Sequence, residues 1–338
     1  MASKGGRLLG EIGVGLRPNV ASPPQSSSGP PTSAIPLVSV VTSTYERREL
    51  LPRLYESLRA QTMRQFEWVV IDDGSTDGTH ALLEAWAAEA PFPVVVHRQE
   101  NMGKHVALNR AFDLARGVYV AMIDSDDAYV PWALERLLAL WEEIPPAERE
   151  RFVAVEARCA HPDGTREGDR VPSPHLDSDY FEVWARHGIR GDTVGMLRRA
   201  ALDGYRFPEE DTGVFVTEAI VWHRLALRYR TRFVDEVLRI VDYQDAGLSA
   251  RPLAARVRDA RPQCTYFGEL LAMPRPMPRR IRLKAAANYV RNSLHAGTGA
   301  RRAWEQAVGH RRELALATPI GIALYARDRS RLLRADIE

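Results

Sequence analysis

Cysteine is scarce in this sequence of 338 residues, which has two, Cys159 and Cys264. Two cysteines so far apart match no metal-binding or disulfide pattern, so we expect reduced, buried side chains. No apolar run reaches the roughly 18–20 residues that a bilayer-spanning helix needs. The first residues also lack the short apolar core of a secretory signal. These absences favour a cytoplasmic protein.

Lysine is also rare, at positions 4, 104 and 284, so arginine supplies most of the positive charge. The formal net charge of +2 combines two unequal parts, because residues 251–338 carry 18 basic and 7 acidic side chains, a balance of +11, against −9 for residues 1–250. A basic tail suits anionic lipid, a phosphorylated ligand or nucleic acid, with a solvated helical surface as the alternative. We expect no nucleic-acid partner and predict peripheral contact of the tail with anionic lipid at the inner face of the membrane.

Proline, serine and glycine dominate residues 1–35, so we predict disorder there. Strand and helix patterns then alternate, which predicts a mainly parallel α/β sheet flanked by helices. The predicted strands lie near 37–42, 67–71, 94–97, 118–123, 152–157 and 233–241, and the helices near 47–60, 79–89, 104–115, 132–143 and 217–229. We predict one domain at 36–250, with halves 36–150 and 151–250. Residues 251–338 should form a basic helical extension, with helices at 280–295 and 301–316.

Three carboxylates lie within four residues at Asp124-Ser125-Asp126-Asp127, directly after a predicted strand. Such charges repel unless a cation or hydrogen-bond donors compensate them. Hard divalent cations take carboxylate oxygens, and ligands of parallel sheets bind beyond the carboxyl ends of the strands. The cluster therefore predicts a site for Mn²⁺ or Mg²⁺. The alternative is an acidic loop that caps the next helix.

Other polar residues follow the strands before this cluster. Asp73 lies in a glycine-containing turn, where it is either structural or accepts a hydrogen bond from the imide of uracil. Tyr45 either stacks on a base or packs locally. Lys104 opens a helix, where its charge and free backbone N–H groups suit phosphate, the alternative being an ordinary helix start.

The motifs resemble, in order and spacing, the inverting glycosyltransferases of family 2 with the GT-A fold. The matching segments are Val38–Tyr45, Val70–Thr79, Glu100–Lys104, Ala107–Asn109, Ala115–Gly117 and Met122–Asp127. The resemblance implies that Ser43, Tyr45 and Asp73 hold the nucleoside, with Asp73 on the base. It also implies that Asp124 and Ser125 lie near the ribose and diphosphate, and that Asp126 binds the metal.

The resemblance further implies a carboxylate base in the second half of the domain. Glu218 is the candidate, although the family often has two acids at this point and Ala219 follows Glu218 here. Asp211 and Asp192 are the rivals, and Glu218 can alternatively serve to offset the helix dipole. Tyr243 and residues 247–249 resemble a loop that closes over the diphosphate in some relatives.

The sequence thus predicts a metal-dependent, inverting transferase. It moves a sugar from a nucleoside diphosphate sugar to a hydroxyl of an unidentified acceptor, and a UDP-sugar is the favoured donor. Such a reaction serves cell-surface polysaccharide or natural-product glycosylation. A sugar-phosphate nucleotidyltransferase is one alternative, although its glycine-rich basic loop is replaced here by Ser43-Thr44-Tyr45-Glu46. A catalytically silent nucleotide-sugar-binding protein is the other.

Overall fold

The computed structural model describes residues 35–172, 174–212, 214–242, 253–298 and 311–335. The predicted disordered segment 1–35 lies outside the described residues except for its last position. Tyr243 and residues 247–249 also lie outside them, so the expectations for both segments stay predictions.

Strands and helices alternate through the first half of the chain, as the sequence pattern predicts. The described strands are β1 Val38–Thr44, β2 Phe66–Asp72, β3 Val94–Arg98, β4 Tyr119–Met122, β5 Ala128–Tyr129, β6 Phe152–Ala160, β7 Leu176–Ser178, β8 Thr193–Arg198 and β9 Arg230–Ile240. The described helices are α1 Leu51–Arg59, α2 Thr79–Glu89, α3 Lys104–Leu114, α4 Ala133–Glu142, α5 Tyr180–Glu182, α6 Ala219–Ala226, α7 Leu253–Arg258, α8 Ala260–Ala272, α9 Arg279–His295 and α10 Arg311–Ala335.

One sheet joins the nine strands, eight of them in the order β3-β2-β1-β4-β8-β6-β9-β5, while β7 pairs with β9. The four strands at one end, β3, β2, β1 and β4, are parallel. Helices cover both faces of this part, so the residues of β1 and β2 are buried nearly throughout rather than at alternate positions. Because the strands are parallel, the residues that follow β1, β2 and β4 meet at one edge of the sheet.

The second half of the sheet is mixed. Strand β8 lies between β4 and β6 and is antiparallel to both, whereas β6 and β9 are parallel. The sequence pattern predicts β6 and β9 but not β5, β7 or β8, and of these three β5 and β7 have only two and three residues. The mainly parallel α/β sheet is confirmed for the first four strands, and the antiparallel β8 joins the two halves.

The C-terminal helices pack onto the second half of the domain. Leu270 of α8 and Ala286 of α9 share an apolar cluster with Phe181 and Ala226. The predicted helix at 301–316 is described from residue 311 and continues to 335, well past the predicted end. None of the described helices is both long enough and apolar enough to cross a membrane.

Candidate active site

The edge at which β1, β2 and β4 end borders a cavity of about 1100 Å³. The cavity is lined by the eight residues that the sequence assigned to the donor, the metal and the favoured base: Ser43, Tyr45, Asp73, Lys104, Asp124, Ser125, Asp126 and Glu218. Residues 43–127 come from the parallel half of the sheet, whereas Glu218 approaches from the other side, immediately before α6. The fold therefore gathers residues that are up to 175 positions apart in the sequence.

The acidic cluster is compact. Asp124, Asp126 and Asp127 each offer a carboxylate oxygen within 4.8 Å of the others. Burial raises the pKa of Asp126, and the neighbouring Asp124 raises it further. Burial likewise raises the pKa of Asp127 to about 7, although Arg239 lies 3.4 Å away and opposes the shift. Three clustered, partly buried carboxylates, two of which have raised pKa values, fit a hard divalent cation, which takes oxygen ligands.

Lys104 joins the acidic cluster to the second half of the domain. Its ammonium nitrogen lies 2.6 Å from an oxygen of Asp124 and 2.8 Å from an oxygen of Glu218. Burial opposes the charge on Lys104, but the two carboxylates outweigh it and raise the pKa of the ammonium above its ordinary value. Burial also opposes ionisation of Asp124, but Lys104 and Arg239 hold the pKa of that carboxyl below its ordinary value. Both groups are therefore charged at neutral pH.

Asp73 is hydrogen-bonded to the loop that precedes α3. Its Oδ1 accepts hydrogen bonds from Gln99 Nε2 and the Met102 amide, at 2.8 and 2.9 Å, and its Oδ2 accepts one from the Gly103 amide at 2.8 Å. A carboxylate has about four acceptor positions, so roughly one remains for a ligand. Asp73 thus positions the start of α3 and Lys104 and still leaves an acceptor position for a ligand.

Tyr45 is 46% exposed and borders the cavity. The loop that carries it is fixed to the loop after β2, because the Glu46 amide donates to Ser75 Oγ at 2.9 Å and the Glu46 carboxylate accepts from the Thr76 amide at 2.7 Å. Of the two expectations for Tyr45, its exposure beside the cavity favours stacking on a ligand over local packing. Ser43 lies on the same side, at the end of β1.

The three candidate bases differ in position. Glu218 and Asp192 line the cavity, whereas Asp211 is absent from the described residues that line it. The Asp211 carboxylate lies 3.4 Å from Arg261, and its backbone carbonyl lies 3.0 Å from His105 Nε2. Among the three, Glu218 is the one that shares Lys104 with the acidic cluster.

Glu156 is a cavity residue that sequence reasoning missed. It is buried in the middle of β6, burial raises the pKa of its carboxyl to about 7, and it accepts a hydrogen bond from the Tyr180 hydroxyl. A Cβ at position 195 would lie 2.0 Å from Oε1 of Glu156, so only glycine leaves room for this carboxyl. A charged residue inside the apolar run 152–157 was the available signal.

Aromatic rings form the wall of the cavity on the side of α6. Tyr180 stacks on Trp222 with ring centroids 5.6 Å apart, and His223 stacks on Tyr266 at 5.7 Å. Burial lowers the pKa of His223 to about 4, so this ring is neutral at neutral pH. The wall is therefore largely uncharged, in contrast to the acidic edge at β4.

Comparison with known proteins gives the same result as the motifs. Residues 39–184 match the model of the glycosyl transferase family 2. The putative teichuronic acid biosynthesis glycosyltransferase TuaG of Bacillus subtilis is 38% identical over 108 residues, which are 32% of this chain and 43% of TuaG. A PGL/p-HBAD biosynthesis glycosyltransferase of Mycobacterium tuberculosis is 32% identical over 116 residues, 34% of this chain and 45% of the relative. The similarity thus spans less than half the length of these curated relatives.

Solved structures are similar in fold over a longer part of the chain than residues 39–184. Residues 1–349 of TarS from S. aureus, in complex with UDP-GlcNAc, superpose with a TM-score of 0.58 at 16% identity, over 83% of this chain and 79% of that one. The mannosyltransferase PcManGT from Pyrobaculum calidifontis, in complex with GDP-Man and Mn²⁺, gives a TM-score of 0.50 at 23% identity, over 89% and 84%. Residues 39–184 therefore match the glycosyl transferase family 2 model, and the chain has a fold of the GT-A type.

Proposed function

We propose that the protein is a metal-dependent, inverting glycosyltransferase that moves a sugar from a nucleoside diphosphate sugar to a hydroxyl acceptor. The observation that carries the proposal is the cluster of Asp124, Asp126 and Asp127 at the rim of the cavity. A bound divalent cation would neutralise the charge that develops on the departing diphosphate. Asp126 would be the principal ligand, with Asp124 and Asp127, which also pair with Lys104 and Arg239, close enough to contribute.

The cavity has separate regions for two substrates. Ser43, Tyr45 and Asp73 are on the side of the parallel strands, where we propose that the nucleoside binds. The aromatic wall that includes Trp222 belongs to the second half of the domain and suits the acceptor. We accordingly propose that residues 36–150 bind the donor and residues 151–250 bind the acceptor.

Glu218 is the proposed base. An acceptor hydroxyl attacks the anomeric carbon, the bond from that carbon to the diphosphate breaks, and the hydroxyl proton passes to the carboxylate. A single displacement of this kind inverts the anomeric configuration. Lys104 holds Glu218 beside the acidic cluster, so the base and the proposed metal site are fixed relative to each other before substrate binds.

The proposed nucleotide is argued from ligand complexes of solved structures that share this fold. TarS binds UDP-GlcNAc, and PcManGT binds GDP-Man with Mn²⁺. Both complexes support a nucleoside diphosphate sugar, and an imide of uracil fits the remaining acceptor position of Asp73, so we propose a UDP-sugar. The family match favours sugar transfer over the nucleotidyltransferase alternative.

The test measures stabilisation by UDP and GDP, each with and without Mn²⁺, because a ligand that binds the folded state raises the melting temperature. We expect UDP with Mn²⁺ to stabilise the parent protein and Asp126→Ala to lose that effect while melting normally without ligand. Asp203→Asn, an exposed aspartate outside the cavity, is the control. Metal-dependent release of UDP from a UDP-sugar then separates an enzyme from a silent binding protein. Equal stabilisation of Asp126→Ala and its parent contradicts the metal assignment.

A further inference from the structure

Helix α10 is attached to the rest of the protein by one face. Leu314 and Ala317 are fully buried against the other C-terminal helices, and Asp328 is buried about two turns before the described end of the helix. At position 321 a Cβ would lie 2.7 Å from Cβ of Val290 in α9, so glycine is what allows the two helices to approach this closely. These contacts determine which side chains of α10 face outward.

The outward face of α10 is apolar in its first half. Leu316, Ile320 and Ile322 are each about half exposed, and they belong to a run of 13 uncharged residues from Leu314 to Ala326. Exposed leucine and isoleucine so close together on one helix are unusual for a surface that contacts only water. The run is too short to span a bilayer, for which about 20 residues are needed.

Arginines flank the apolar run on both sides. They are exposed at Arg311, Arg312, Arg327, Arg329, Arg331 and Arg334. The two acidic residues in the described part of α10 do not face the same way, because Glu313 pairs with Arg282 and the buried Asp328 pairs with Arg291. Over residues 311–334, the outer face therefore presents arginines and apolar side chains without a carboxylate beside them.

We propose that the outer face of α10 docks on the surface of an anionic lipid bilayer, with Leu316 and Ile320 between the headgroups and the arginines on lipid phosphate. A helix with an apolar stripe and a cationic margin is the arrangement that binds at such an interface. This inference goes beyond the proposed function and does not depend on it. It also assigns six of the 18 basic side chains of residues 251–338 to one helix surface.

Charge and composition favour lipid over other partners. A second copy of the chain, paired through the same face, would bring two sets of arginines together, because a two-fold interface is self-complementary. Nucleic acid would match the arginines but would leave Leu316 and Ile320 without an apolar partner. A bilayer offers phosphate and hydrocarbon in adjacent layers and matches both.

The experiment is co-sedimentation of the full chain with vesicles of phosphatidylcholine alone, and of phosphatidylcholine mixed equally with phosphatidylglycerol. We expect binding to the mixed vesicles that weakens with salt, and little binding to the neutral ones. Each arginine near the surface contributes roughly a fivefold factor in affinity, so replacing Arg327, Arg329, Arg331 and Arg334 by glutamine should reduce binding by more than tenfold. Leu316→Asn combined with Ile320→Asn should also reduce it by more than tenfold.

Two variants serve as controls. Arg170→Gln removes an arginine whose side chain is 86% exposed in the glycosyltransferase domain, and Leu227→Asn removes a half-exposed leucine outside α10. Both should bind as the parent does, and all variants should show the parent's circular dichroism. Equal binding to the two kinds of vesicle, no binding to either, or parental binding by the α10 variants overturns the proposal. So does a dimer in solution that Leu316→Asn dissociates, since the face would then contact a second copy.

Discussion

The ammonium nitrogen of Lys104 lies 2.8 Å from the carboxylate of Glu218 and, at the same time, 2.6 Å from that of Asp124. A lysine has three N–H donors, so two serve the carboxylates and one remains for a ligand. The sequence predicts that Lys104 meets phosphate. The geometry adds a positioning role, because the same ammonium fixes the proposed base against the proposed metal site.

Lys104→Met separates these two roles. If Lys104 mainly positions Glu218, the rate of donor turnover should fall about 10- to 100-fold while the affinity for the nucleoside diphosphate changes by less than tenfold. Lys284→Met, which removes an exposed lysine of α9, is the matched control and should leave both unchanged. Titration calorimetry and steady-state rates give the two quantities. A loss of affinity as large as the loss of rate would mark Lys104 as a phosphate ligand alone.

Glu218→Gln tests the proposed base. The Glu218 carboxylate is needed to accept the proton of the acceptor hydroxyl. Glu218→Gln should therefore lower the rate of sugar transfer by about 10²–10⁴, while the affinity for the donor stays within a few-fold. Asp192→Asn should cost less, and Asp211→Asn should have little effect, because Asp211 pairs with Arg261 away from the cavity. Rates and donor affinities of the three variants are compared at one pH. Near-normal turnover by Glu218→Gln assigns the base elsewhere.

Much of the fold was predictable from local patterns. The strands β1, β2 and β4 contain runs of valine and other apolar residues that end at polar clusters, and α2 begins and ends as the pattern predicts, at residues 79 and 89. The acidic cluster was visible because Asp124, Asp126 and Asp127 are adjacent in sequence, and adjacency needs no tertiary information.

Contacts between distant segments were not predictable. Strand β8 enters the sheet between β4 and β6, and no local pattern in Thr193–Arg198 specifies those neighbours. The ion pair of Lys104 with Glu218 spans 114 positions and depends on how the two halves pack. Arg239 and Glu156 were missed for the same reason, since each is a single charged residue whose partner comes from another strand or helix.

Glu156→Gln should change how stability depends on pH. Burial raises the pKa of the Glu156 carboxyl from 4.5 to about 7 in the folded protein. Between these values the folded state binds more protons than the unfolded state, so this group makes the protein less stable as the pH rises. The effect is complete above pH 7 and amounts to at most about 3 kcal/mol. Glutamine does not titrate in this range, so Glu156→Gln should abolish this pH-dependent loss of stability.

The measurement is denaturant unfolding at pH 5 and pH 8 in chelator, for the parent and the variant. Relative to its parent, Glu156→Gln should be more stable at pH 8 than at pH 5. Comparing the two proteins cancels the titration of Asp127, which both retain. Glu100→Gln, at an exposed glutamate, is the control and should follow the parent at both values. If the difference in stability between the parent and Glu156→Gln is the same at pH 5 and pH 8, Glu156 is ionised at both values.

The last prediction concerns the attachment of α10. Asp328 is 1% exposed and lies 2.5 Å from Arg291 and 3.1 Å from His295, both in α9. Removing one member of a buried charged set costs about 3 kcal/mol, because the remaining charges stay desolvated. Asp328→Asn should therefore lower the free energy of unfolding by about that amount at pH 7. By contrast, Asp113→Asn breaks an ion pair with side chains 35% and 52% exposed, which should cost less than about 1 kcal/mol.

The same variant has an expected pH dependence. Burial opposes ionisation of Asp328, but Arg291 and His295 outweigh it and hold the pKa of its carboxyl below the ordinary value of 3.8. Since the folded state lowers this pKa, the contribution of Asp328 to stability is present above 3.8 and is lost as the pH falls further. The gap between the parent and Asp328→Asn should thus be constant from pH 5 to pH 7 and should narrow only below pH 4. If Asp328→Asn is as stable as the parent at pH 7, apolar packing around Leu314 and Gly321 holds α10 in place without the ion pairs.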